Sequence, residues 1–374
     1  MGVAIRGTGS YLPERAIGND ELECLTGDFD RQRSGCTLDE WVGHQIGIRS
    51  RRRAAPGEGS AQMAIEASRA ALEDSGLTGL DLDLIVLSTF TSDHRLPQSV
   101  SIVQRELGSN AKCVQLEAAC AGFVDGVAVA VGLMQTMGYR NVLVAHSEVN
   151  SVLLNPRRFL MQAIFGDGAG AVILQPAGDK MEGITAIEMF TDGSKCEWVH
   201  AGGGSLSPRT SEGVDDGSYF LEIDTGAIFP FAVEKMAASI RSIVEKTRRS
   251  LDEIDWVIAH QTGINITRGV AAAVGIDLSR FLTTLEYAGN TSGATIPIAL
   301  DHFNRQGILA EGDFVVLPTV GAGMAWGAVS CTWAETSAGR RARSLARTSA
   351  TDDLADSTRP SLNGSRHADA VLVQ

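Results

Sequence analysis

The sequence predicts a layered α/β protein built from two similar halves, and three features of the chain predict it. Short apolar runs typical of buried strands alternate with longer helical segments, which is the pattern of helices packed on sheets. The same order of segments occurs twice, which suggests a duplicated unit. The 374 residues, 44% of them hydrophobic, are enough to form a large core.

The first half is predicted to cover residues 1–176 and opens with a strand and turn in MGVAIRGTGSYLPE. Short apolar runs are read as buried strands, and longer stretches with apolar residues recurring on one face are read as helices. The segments that follow are predicted as a helix at 59–76, a strand at 82–91, a strand at 111–118, a helix at 122–138, a strand at 140–149 and a strand at 168–176.

The second half is predicted to cover residues 177–335 and to repeat this pattern. Residues 336–374 are rich in Ser, Arg, Thr and Asp with few apolar residues, and they are predicted to form a disordered tail. The segments of the second half are predicted as a strand at 183–193, a helix at 229–247, a strand at 255–263 and two strands joined by a glycine turn at 313–333.

Composition excludes several classes of protein. A formal net charge of −13 argues against a nucleic-acid surface, which needs a basic face. The sequence has no long uninterrupted apolar run and its start lacks the apolar core of a signal peptide, so we expect neither a membrane span nor export. Six scattered cysteines without C-x-x-C spacing argue against a disulfide framework and a zinc site, and a cytoplasmic location is expected.

Cys120 is the first candidate for chemistry. It lies in LEAACAGF (116–123), where a predicted strand gives way to a helix. A helix N-terminus stabilises negative charge and so favours a thiolate, and the small neighbours leave room for a substrate to reach the sulfur. This stretch alone fits a nucleophile and a buried structural cysteine equally well.

His260 is the candidate base. It ends the apolar run WVIAH, at the tip of a predicted strand, which is where α/β folds bind their ligands. Most of the other histidines lie in polar segments and are predicted to be on the surface. Taken by itself, His260 is better explained as a core histidine with its hydrogen bonds satisfied.

Two further segments carry polar or glycine-rich motifs. Asn290 lies in YAGNTSGATIPIAL (287–300), where an asparagine can cap a helix, hold a turn or face a substrate. The glycine turn VGAGMAWG (320–327) can direct backbone N–H groups at a developing oxyanion, or it can be an ordinary hairpin. Neither motif is specific alone.

Together the motifs resemble those of the thiolase superfamily, specifically the β-ketoacyl-acyl-carrier-protein synthase III group. The match runs from about residue 3 to residue 333, with every motif in the order of the family. The family motifs resembled are AACAGF around the nucleophile, FGDGAGA (165–171) at a structural turn, HQ (260–261) and GNTS (289–292) in the active site, and TLDEWVGHQIGIRSRR (37–52) at the substrate entrance.

The resemblance implies a thiolase-like five-layered α-β-α-β-α sandwich of two similar halves, acting as a homodimer. Cys120 would be acylated by acyl-CoA or acyl-carrier protein, a covalent step that divides a difficult transfer into two easier ones. His260 and Asn290 would bind a malonyl thioester and stabilise the enolate left by decarboxylation. The N–H groups of Cys120 and Ala322 would form the oxyanion hole. No metal or redox cofactor is implied.

The neutral amide of Asn290 favours condensation over simple acyl transfer. Hydrogen-bond donors stabilise an enolate oxygen, whereas a carboxylate at this position would repel it. Relatives that only transfer an acyl group can carry an acid there. The Cys-His-Asn set therefore indicates decarboxylative condensation.

The residues expected at the substrate entrance follow the family only in part. Trp41 matches the tryptophan that stacks on the adenine of CoA, but Gln45 stands where the family has an arginine. Before FGDGAGA, another arginine of the family aligns with Phe159, with Arg157 and Arg158 adjacent. Despite these differences, the resemblance implies a substrate-binding role for Trp41, Phe159 and the two adjacent arginines, Arg157 and Arg158.

Other departures from the family lie nearby. Gly263 replaces an asparagine, and Asn265 replaces an arginine that helps to dock the acidic carrier protein. Leu96 holds the position of a bulky residue that reaches across the dimer into the partner's acyl pocket. About ten residues at 26–35 form an insertion. These departures suggest a specialised enzyme, in polyketide priming or other secondary metabolism, rather than the enzyme that starts ordinary fatty-acid synthesis.

Three functions remain open at this stage. The leading one is condensation, and the second is transfer of the acyl group from Cys120 to a carrier protein, hydroxyl or amine without decarboxylation. The third is a catalytically silent partner subunit, which the intact Cys-His-Asn set argues against. Glu117 is a minor candidate acid, because hydroxymethylglutaryl-CoA synthases use an additional glutamate. The sequence names neither the acyl group nor its donor.

Overall fold

The computed structural model describes residues 2–178 and 182–346. Its strands are β1 (Val3–Tyr11), β2 (Arg15–Gly18), β3 (Ser50–Arg53), β4 (Leu84–Ser88), β5 (Lys112–Leu116), β6 (Val142–Glu148), β7 (Gly168–Pro176), β8 (Gly183–Thr191), β9 (Val199–His200), β10 (Glu222–Ile223), β11 (Trp256–Val257), β12 (Phe314–Gly321) and β13 (Ala325–Thr332).

The helices include two that begin directly after short 3-10 turns, Ala119–Ala121 before α6 and Ser292–Ala294 before α12. The helices are α1 (Asn19–Thr26), α2 (Arg31–Ser34), α3 (Leu38–Gln45), α4 (Ser60–Ser75), α5 (Ser99–Glu106), α6 (Gly122–Met137), α7 (Phe159–Ile164), α8 (Ser211–Asp215), α9 (Thr225–Lys246), α10 (Ile264–Val274), α11 (Leu285–Ala288), α12 (Thr295–Arg305) and α13 (337–346).

Two sheets form the framework. The first has the strand order β1-β7-β6-β4-β5, with β4, β5 and β6 parallel and β7 antiparallel to both of its neighbours. The second has the order β11-β12-β13-β8, with only β11 and β12 parallel. The strands of the first sheet lie within residues 3–176 and those of the second within 183–332, so the sheets divide where the sequence puts the boundary between its two halves.

The helices lie in three layers around these sheets. Helices α4 and α5 cover the outer face of the first sheet, and α9 and α10 cover the outer face of the second. Between the sheets, α6 and α12 share one apolar core with both of them, which includes the fully buried Phe123, Ile296 and Leu317. Each such side chain contributes roughly 1.5–3 kcal/mol on burial. The layer order α-β-α-β-α confirms the predicted fold class.

The central helix α6 is unusually apolar. With the turn before it, the run Ala119–Met137 is long and apolar enough to cross a membrane by length and composition, although the sequence analysis expected no such segment. Here its side chains Phe123, Val124 and Val127 are buried against the first sheet. A helix that packs on both sheets requires apolar side chains on each face that it presents to them.

Two predicted segments differ from the observed ones. The helix predicted at 229–247 begins earlier, at Thr225, because the side chain of Asp224 accepts a hydrogen bond from the N–H of Ala227 (3.0 Å) and caps it. The strand predicted at 255–263 ends at Val257. Beyond it, His260 still donates its N–H to the carbonyl of Pro318 (2.9 Å), so the chain stays beside β12.

The prediction of a disordered tail from residue 336 is wrong for its first eleven residues, 336–346, which the structure describes as ordered. Thr336 is buried, and its hydroxyl exchanges hydrogen bonds with the side chain of Asn304 (2.8 and 3.0 Å). It also accepts from the N–H of Gly339 (3.2 Å) and so caps α13. Polar composition concealed this contact, because the segment is held by buried hydrogen bonds. The remainder, 347–374, lies outside the described residues.

We expect Thr336→Val to lower the free energy of unfolding by about 1–3 kcal/mol, because the buried amide of Asn304 loses its partner and α13 loses its cap. Urea unfolding followed by circular dichroism measures this change. Thr136→Val on the exposed face of α6 is the matched control and should cost much less. Equal unfolding midpoints for the two variants would show that α13 is not held in this way.

Candidate active site

Four segments that are distant in sequence meet at one cavity of about 330 Å³. Cys120 lies in the 3-10 turn before α6, and His260 lies beyond the end of β11. Asn290 follows α11, and Ala322 lies in the turn between β12 and β13. All four residues line the cavity, so the fold brings together the catalytic residues and the oxyanion residues that the sequence analysis names.

The turn that carries Cys120 is held from two sides. The hydroxyl of Ser292 lies 3.4 Å from the Cys120 sulfur and donates toward it. The hydroxyl of Thr319, on β12, donates to the Cys120 carbonyl (2.8 Å). Ala119 and Ser292 both have left-handed backbone conformations, with φ of 43° and 57°. Such conformations cost a non-glycine residue free energy and are concentrated at functional sites.

Burial dominates the acidity of the nucleophile. Desolvation raises the pKa of the Cys120 thiol to about 11, and the hydrogen bond from Ser292 opposes this rise only in part. The thiolate expected from the helix N-terminus is therefore not the resting form. At neutral pH the thiol is protonated, and a base must remove its proton before it can attack.

His260 is a candidate acceptor for that proton, because it lines the same cavity as Cys120. Its Nδ1 lies 2.9 Å from the hydroxyl of Thr295, which donates in turn to the carbonyl of Ser292 (2.9 Å). With the Thr295 proton used in this way, Nδ1 carries the ring hydrogen and donates to Thr295. Within the described residues, Nε2 has no hydrogen-bond partner. Burial lowers the pKa of His260 to about 3, so the imidazole is neutral at neutral pH and Nε2 is a free acceptor.

Asn290 presents a donor to the cavity. Its Oδ1 accepts the backbone N–H of Ser292 (2.8 Å). Its backbone is fixed by two hydrogen bonds to the segment before β7, from its N–H to the carbonyl of Ile164 (2.9 Å) and from the N–H of Gly166 to its carbonyl (3.0 Å). With Oδ1 occupied, the Nδ2 amide group remains, and it can only donate.

The β12–β13 turn presses directly on the backbone of Cys120. A Cβ added at Gly321 would lie 2.7 Å from the N of Ala121 and 3.1 Å from the N of Cys120. Glycine is thus required for this approach, which brings the N–H side of the nucleophile turn beside Ala322. The close approach fits the oxyanion hole expected from these two residues.

Most of the remaining wall of the cavity is apolar, with the polar side chains of His200, Thr225 and Thr262 interspersed. No acidic side chain is present among the described residues that line it, and Glu117 lies instead in a neighbouring polar cavity. In the described part of the chain, no group of three or more His, Cys, Asp and Glu could hold a metal ion. The apolar side chains of the wall include Phe90, Ile164, Phe165, Val199, Leu221, Ile223, Ile228, Phe229, Ile266, Val320 and Met324.

Two of the predicted substrate-binding residues contact each other outside this cavity. Trp41 and Phe159 pack edge to face, with ring centroids 5.6 Å apart. Phe29, from the insertion, packs on Phe159 (5.2 Å) and on Trp41 (6.3 Å). Asp28 also accepts the N–H of Phe159 (2.9 Å). The insertion thus completes an aromatic cluster around the tryptophan expected to stack on adenine.

The other four predicted substrate-binding residues also lie outside the cavity lining. Arg157 and Arg158 are exposed, and Leu96 is 85% exposed. Gly263 directly precedes α10 and follows the cavity residue Thr262. Its extended backbone is one that any residue can adopt.

Sequence reasoning missed the residues that hold the catalytic groups. Ser292 belongs to a recognised motif. Thr295 and Thr319 lie in apolar segments, where nothing in the sequence distinguishes a threonine from a core residue. Most histidines other than His260 are predicted to lie on the surface, yet His146 is fully buried, together with Glu148. The two residues continue the series of Val142 and Val144 at every second position, on one face of a strand. This spacing could have revealed that they are buried.

The fold and this site together define a condensing enzyme of the thiolase-like class. The family model for 3-oxoacyl-[acyl-carrier-protein] synthase III matches residues 114–193, and the model for its C-terminal part matches residues 244–333. β-Ketoacyl-[acyl-carrier-protein] synthase III of Clostridioides difficile is 36% identical over 332 residues, covering 88% of this chain and 98% of the relative. The enzyme of Roseobacter denitrificans is 35% identical over 334 residues, again covering 88% and 98%.

Solved structures agree. The 3-oxoacyl-(acyl carrier protein) synthase III of Pseudomonas aeruginosa superposes with a TM-score of 0.80 at 31% identity, covering 89% of this chain and 98% of that one. The priming β-ketosynthase of the R1128 polyketide pathway gives a TM-score of 0.80 at 28% identity, covering 89% and 97%. The chain belongs to the β-ketoacyl-[acyl-carrier-protein] synthase III family, whose members are condensing enzymes of the acyltransferase class.

We expect Gly321→Ala to slow covalent labelling of Cys120 by acyl thioesters by at least about tenfold, because the new methyl group meets the backbone of the nucleophile turn. Intact-protein mass spectrometry at timed intervals measures this rate. Gly132→Ala on α6, where an added methyl group meets nothing, is the control and should label like wild type. Equal rates for both variants would rule out the close approach.

Alkylation of Cys120 should rise with pH across the whole range from 6 to 10, because burial raises its pKa and only the thiolate reacts. Because the resting thiol is protonated, each increase in pH raises the thiolate fraction of Cys120 until the pH exceeds its raised pKa. Peptide-resolved mass spectrometry after iodoacetamide measures it and separates Cys120 from the other five free cysteines. A rate already constant above pH 7 would contradict the prediction.

Proposed function

We propose that this protein is an acyl-thioester condensing enzyme that is acylated on Cys120 and then performs a decarboxylative Claisen condensation with a malonyl thioester. One observation carries the proposal. The cavity that contains Cys120, His260 and Asn290 has no acidic side chain in its described lining, and the free group of Asn290 is a hydrogen-bond donor. Such a site stabilises an enolate, whereas a carboxylate would destabilise it.

In the first half-reaction, Nε2 of His260 takes the thiol proton as the Cys120 sulfur attacks the carbonyl of the acyl donor. The oxyanion accepts hydrogen bonds from the N–H groups of Cys120 and Ala322. The intermediate collapses by expelling the thiolate of the donor, CoA or carrier protein, and this thiolate takes the proton back from His260. The acyl group is then on Cys120 and the imidazole is neutral again.

In the second half-reaction, the carbonyl oxygen of the malonyl thioester accepts a hydrogen bond from Nδ2 of Asn290 and a second one from Nε2 of His260. The second bond requires the other imidazole tautomer, which Thr295 permits by donating to Nδ1 instead of the Ser292 carbonyl. Loss of CO2 leaves an enolate on the bound thioester. Its carbon attacks the acyl-Cys120 carbonyl, and the C–S bond breaks so that the cysteine leaves as a thiolate, which takes a proton from water.

The apolar wall of the cavity favours an aliphatic or aromatic acyl group and disfavours a charged one. Two of the residues that replace family arginines contact each other, since the Asn265 amide donates to the carbonyl of Gln45 (2.8 Å). This neutral contact, the aromatic cluster at Trp41 and the entrance insertion support a role in polyketide priming or other secondary metabolism. The reaction as proposed uses no metal or redox cofactor.

A cytoplasmic homodimer is part of the proposal. Strand β5 is an edge of the first sheet, and its side chains Val114 and Leu116 are only partly buried in the single chain. An unpaired apolar edge favours pairing with a second copy. The exposed Leu96 would then reach the other subunit, as the family resemblance implies.

The test is intact-protein mass spectrometry with a panel of acyl-CoA and acyl-carrier-protein donors, followed by a chase with malonyl carrier protein. We expect a mass gain that is absent in Cys120→Ala and that is discharged as a β-keto product with release of CO2. Discharge to a hydroxyl, an amine or a second carrier without CO2 release would instead establish simple acyl transfer.

We expect Asn290→Asp to keep acylation of Cys120 but to lower malonyl-dependent CO2 release by about a hundredfold or more, because a carboxylate replaces the donor that faces the enolate. Release of labelled CO2 measures the loss. Asn110→Asp, an exposed position with the same change of charge, should behave like wild type. Undiminished CO2 release in Asn290→Asp would contradict the role of this amide.

A further inference from the structure

Two buried ionisable side chains that the mechanism does not use lie on strand β6. Side chains alternate along a strand, and Val142 and Val144 of β6 belong to the core shared with α6 and α12. His146 and Glu148 continue this series on the same face, and both are fully buried. On the opposite face, Ser147 donates to the carbonyl of Ser60 at the start of α4 (2.8 Å).

The ring of His146 lies directly beneath the two turns that form the active site. A Cβ added at Gly293 would lie 2.3–2.9 Å from three of its ring atoms, and one added at Gly122 would lie 2.9 Å from Cε1. Gly293 directly follows Ser292, and Gly122 is two residues after Cys120. The two glycines thus leave the space that the imidazole fills.

Within the described residues, Glu148 is the acidic side chain that the imidazole contacts. Nε2 of His146 lies 3.1 Å from a Glu148 oxygen, but the pair is not aligned as a hydrogen bond. In the described part of the chain, Nδ1 has no hydrogen-bond partner either. Removing either member of such a close buried pair leaves the other without its partner, which is strongly destabilising.

The carboxylate of Glu148 accepts four hydrogen bonds, which suit its ionised form. The donors are the N–H groups of Phe90 (3.0 Å) and Thr91 (3.1 Å) and the hydroxyls of Thr89 (3.3 Å) and Thr91 (2.5 Å). Phe90 lines the cavity, so the same carboxylate also fixes part of the cavity wall.

We propose that His146 and Glu148 form a buried pair beneath the active site, and that the pair positions the two active-site turns and sets the electrostatic environment of Cys120 and His260. Both are positioning residues, because neither lines the cavity. The inference rests on the proposed role of Cys120 as the nucleophile.

The effects on the catalytic groups have opposite signs. A positive charge on His146 lowers the pKa of His260, in addition to the larger effect of burial, and so favours the neutral imidazole. The negative charge of Glu148 raises the pKa of Cys120. This effect is smaller than those of burial and of the Ser292 hydrogen bond. Helix α6 packs on β6 and carries one ionisable side chain, Asp125. Burial raises the pKa of Asp125 to about 6.

The test is the second-order rate of Cys120 alkylation by iodoacetamide at pH 7, measured for three variants. His146→Gln leaves the carboxylate unpaired, so the thiolate is disfavoured and alkylation should be about threefold slower. Glu148→Gln keeps the side-chain shape and removes the negative charge, so alkylation should be about threefold faster. In the double variant the two changes should largely cancel.

The controls neutralise an exposed ion pair one side at a time. Arg69 and Glu66 on α4 are 2.8 Å apart at the surface, and Arg69→Gln and Glu66→Gln should leave the rate unchanged. Circular dichroism identifies any variant that does not fold. If His146→Gln does not fold, the direction of the rate change in the isosteric Glu148→Gln decides the test. Slower alkylation in both single variants, or no change in either, would overturn the proposed pair. Wild-type protein in which Cys120 takes no label would overturn the proposed function instead.

Discussion

The contact between the turns that precede the two central helices is the constraint on which the site depends. The 3-10 turn at Ala119–Ala121 leads into α6 and the one at Ser292–Ala294 leads into α12, and the two turns touch between the sheets. Each has a non-glycine residue with a left-handed φ. This correspondence is what a duplicated unit predicts: each half presents the start of its central helix to the same point, and the chemistry lies where they meet.

Burial is the main influence on the electrostatics of this point. The layers above and below exclude water, so the Cys120 thiol keeps its proton and the His260 imidazole stays neutral. Both effects have one physical cause, since a low dielectric disfavours either charged form. In the reaction that we propose, the pair therefore begins neutral and becomes charged only as the proton moves. Fixed donors such as the amide of Asn290 are then worth more than they would be in water.

Much of the site was predictable because its motifs are short and local. Cys120, His260 and Asn290 each lie in a recognisable stretch at the end of a predicted strand or before a predicted helix, and a parallel α/β arrangement brings such ends together. The supporting residues were not predictable in this way. Thr319 acts on Cys120 across 199 positions of the chain, and His146 looks like any other histidine until its strand is packed.

By itself, the sequence predicted the alternation of strands and helices, the division into two halves and the groups proposed to react, because these predictions depend on periodicity and on side-chain chemistry. Only the tertiary structure decided the protonation of Cys120 and His260, since desolvation depends on every layer around them. It also decided that residues from 336 to 346 are ordered, through buried hydrogen bonds to Asn304. Local composition cannot report such contacts, because their partners come from distant parts of the chain.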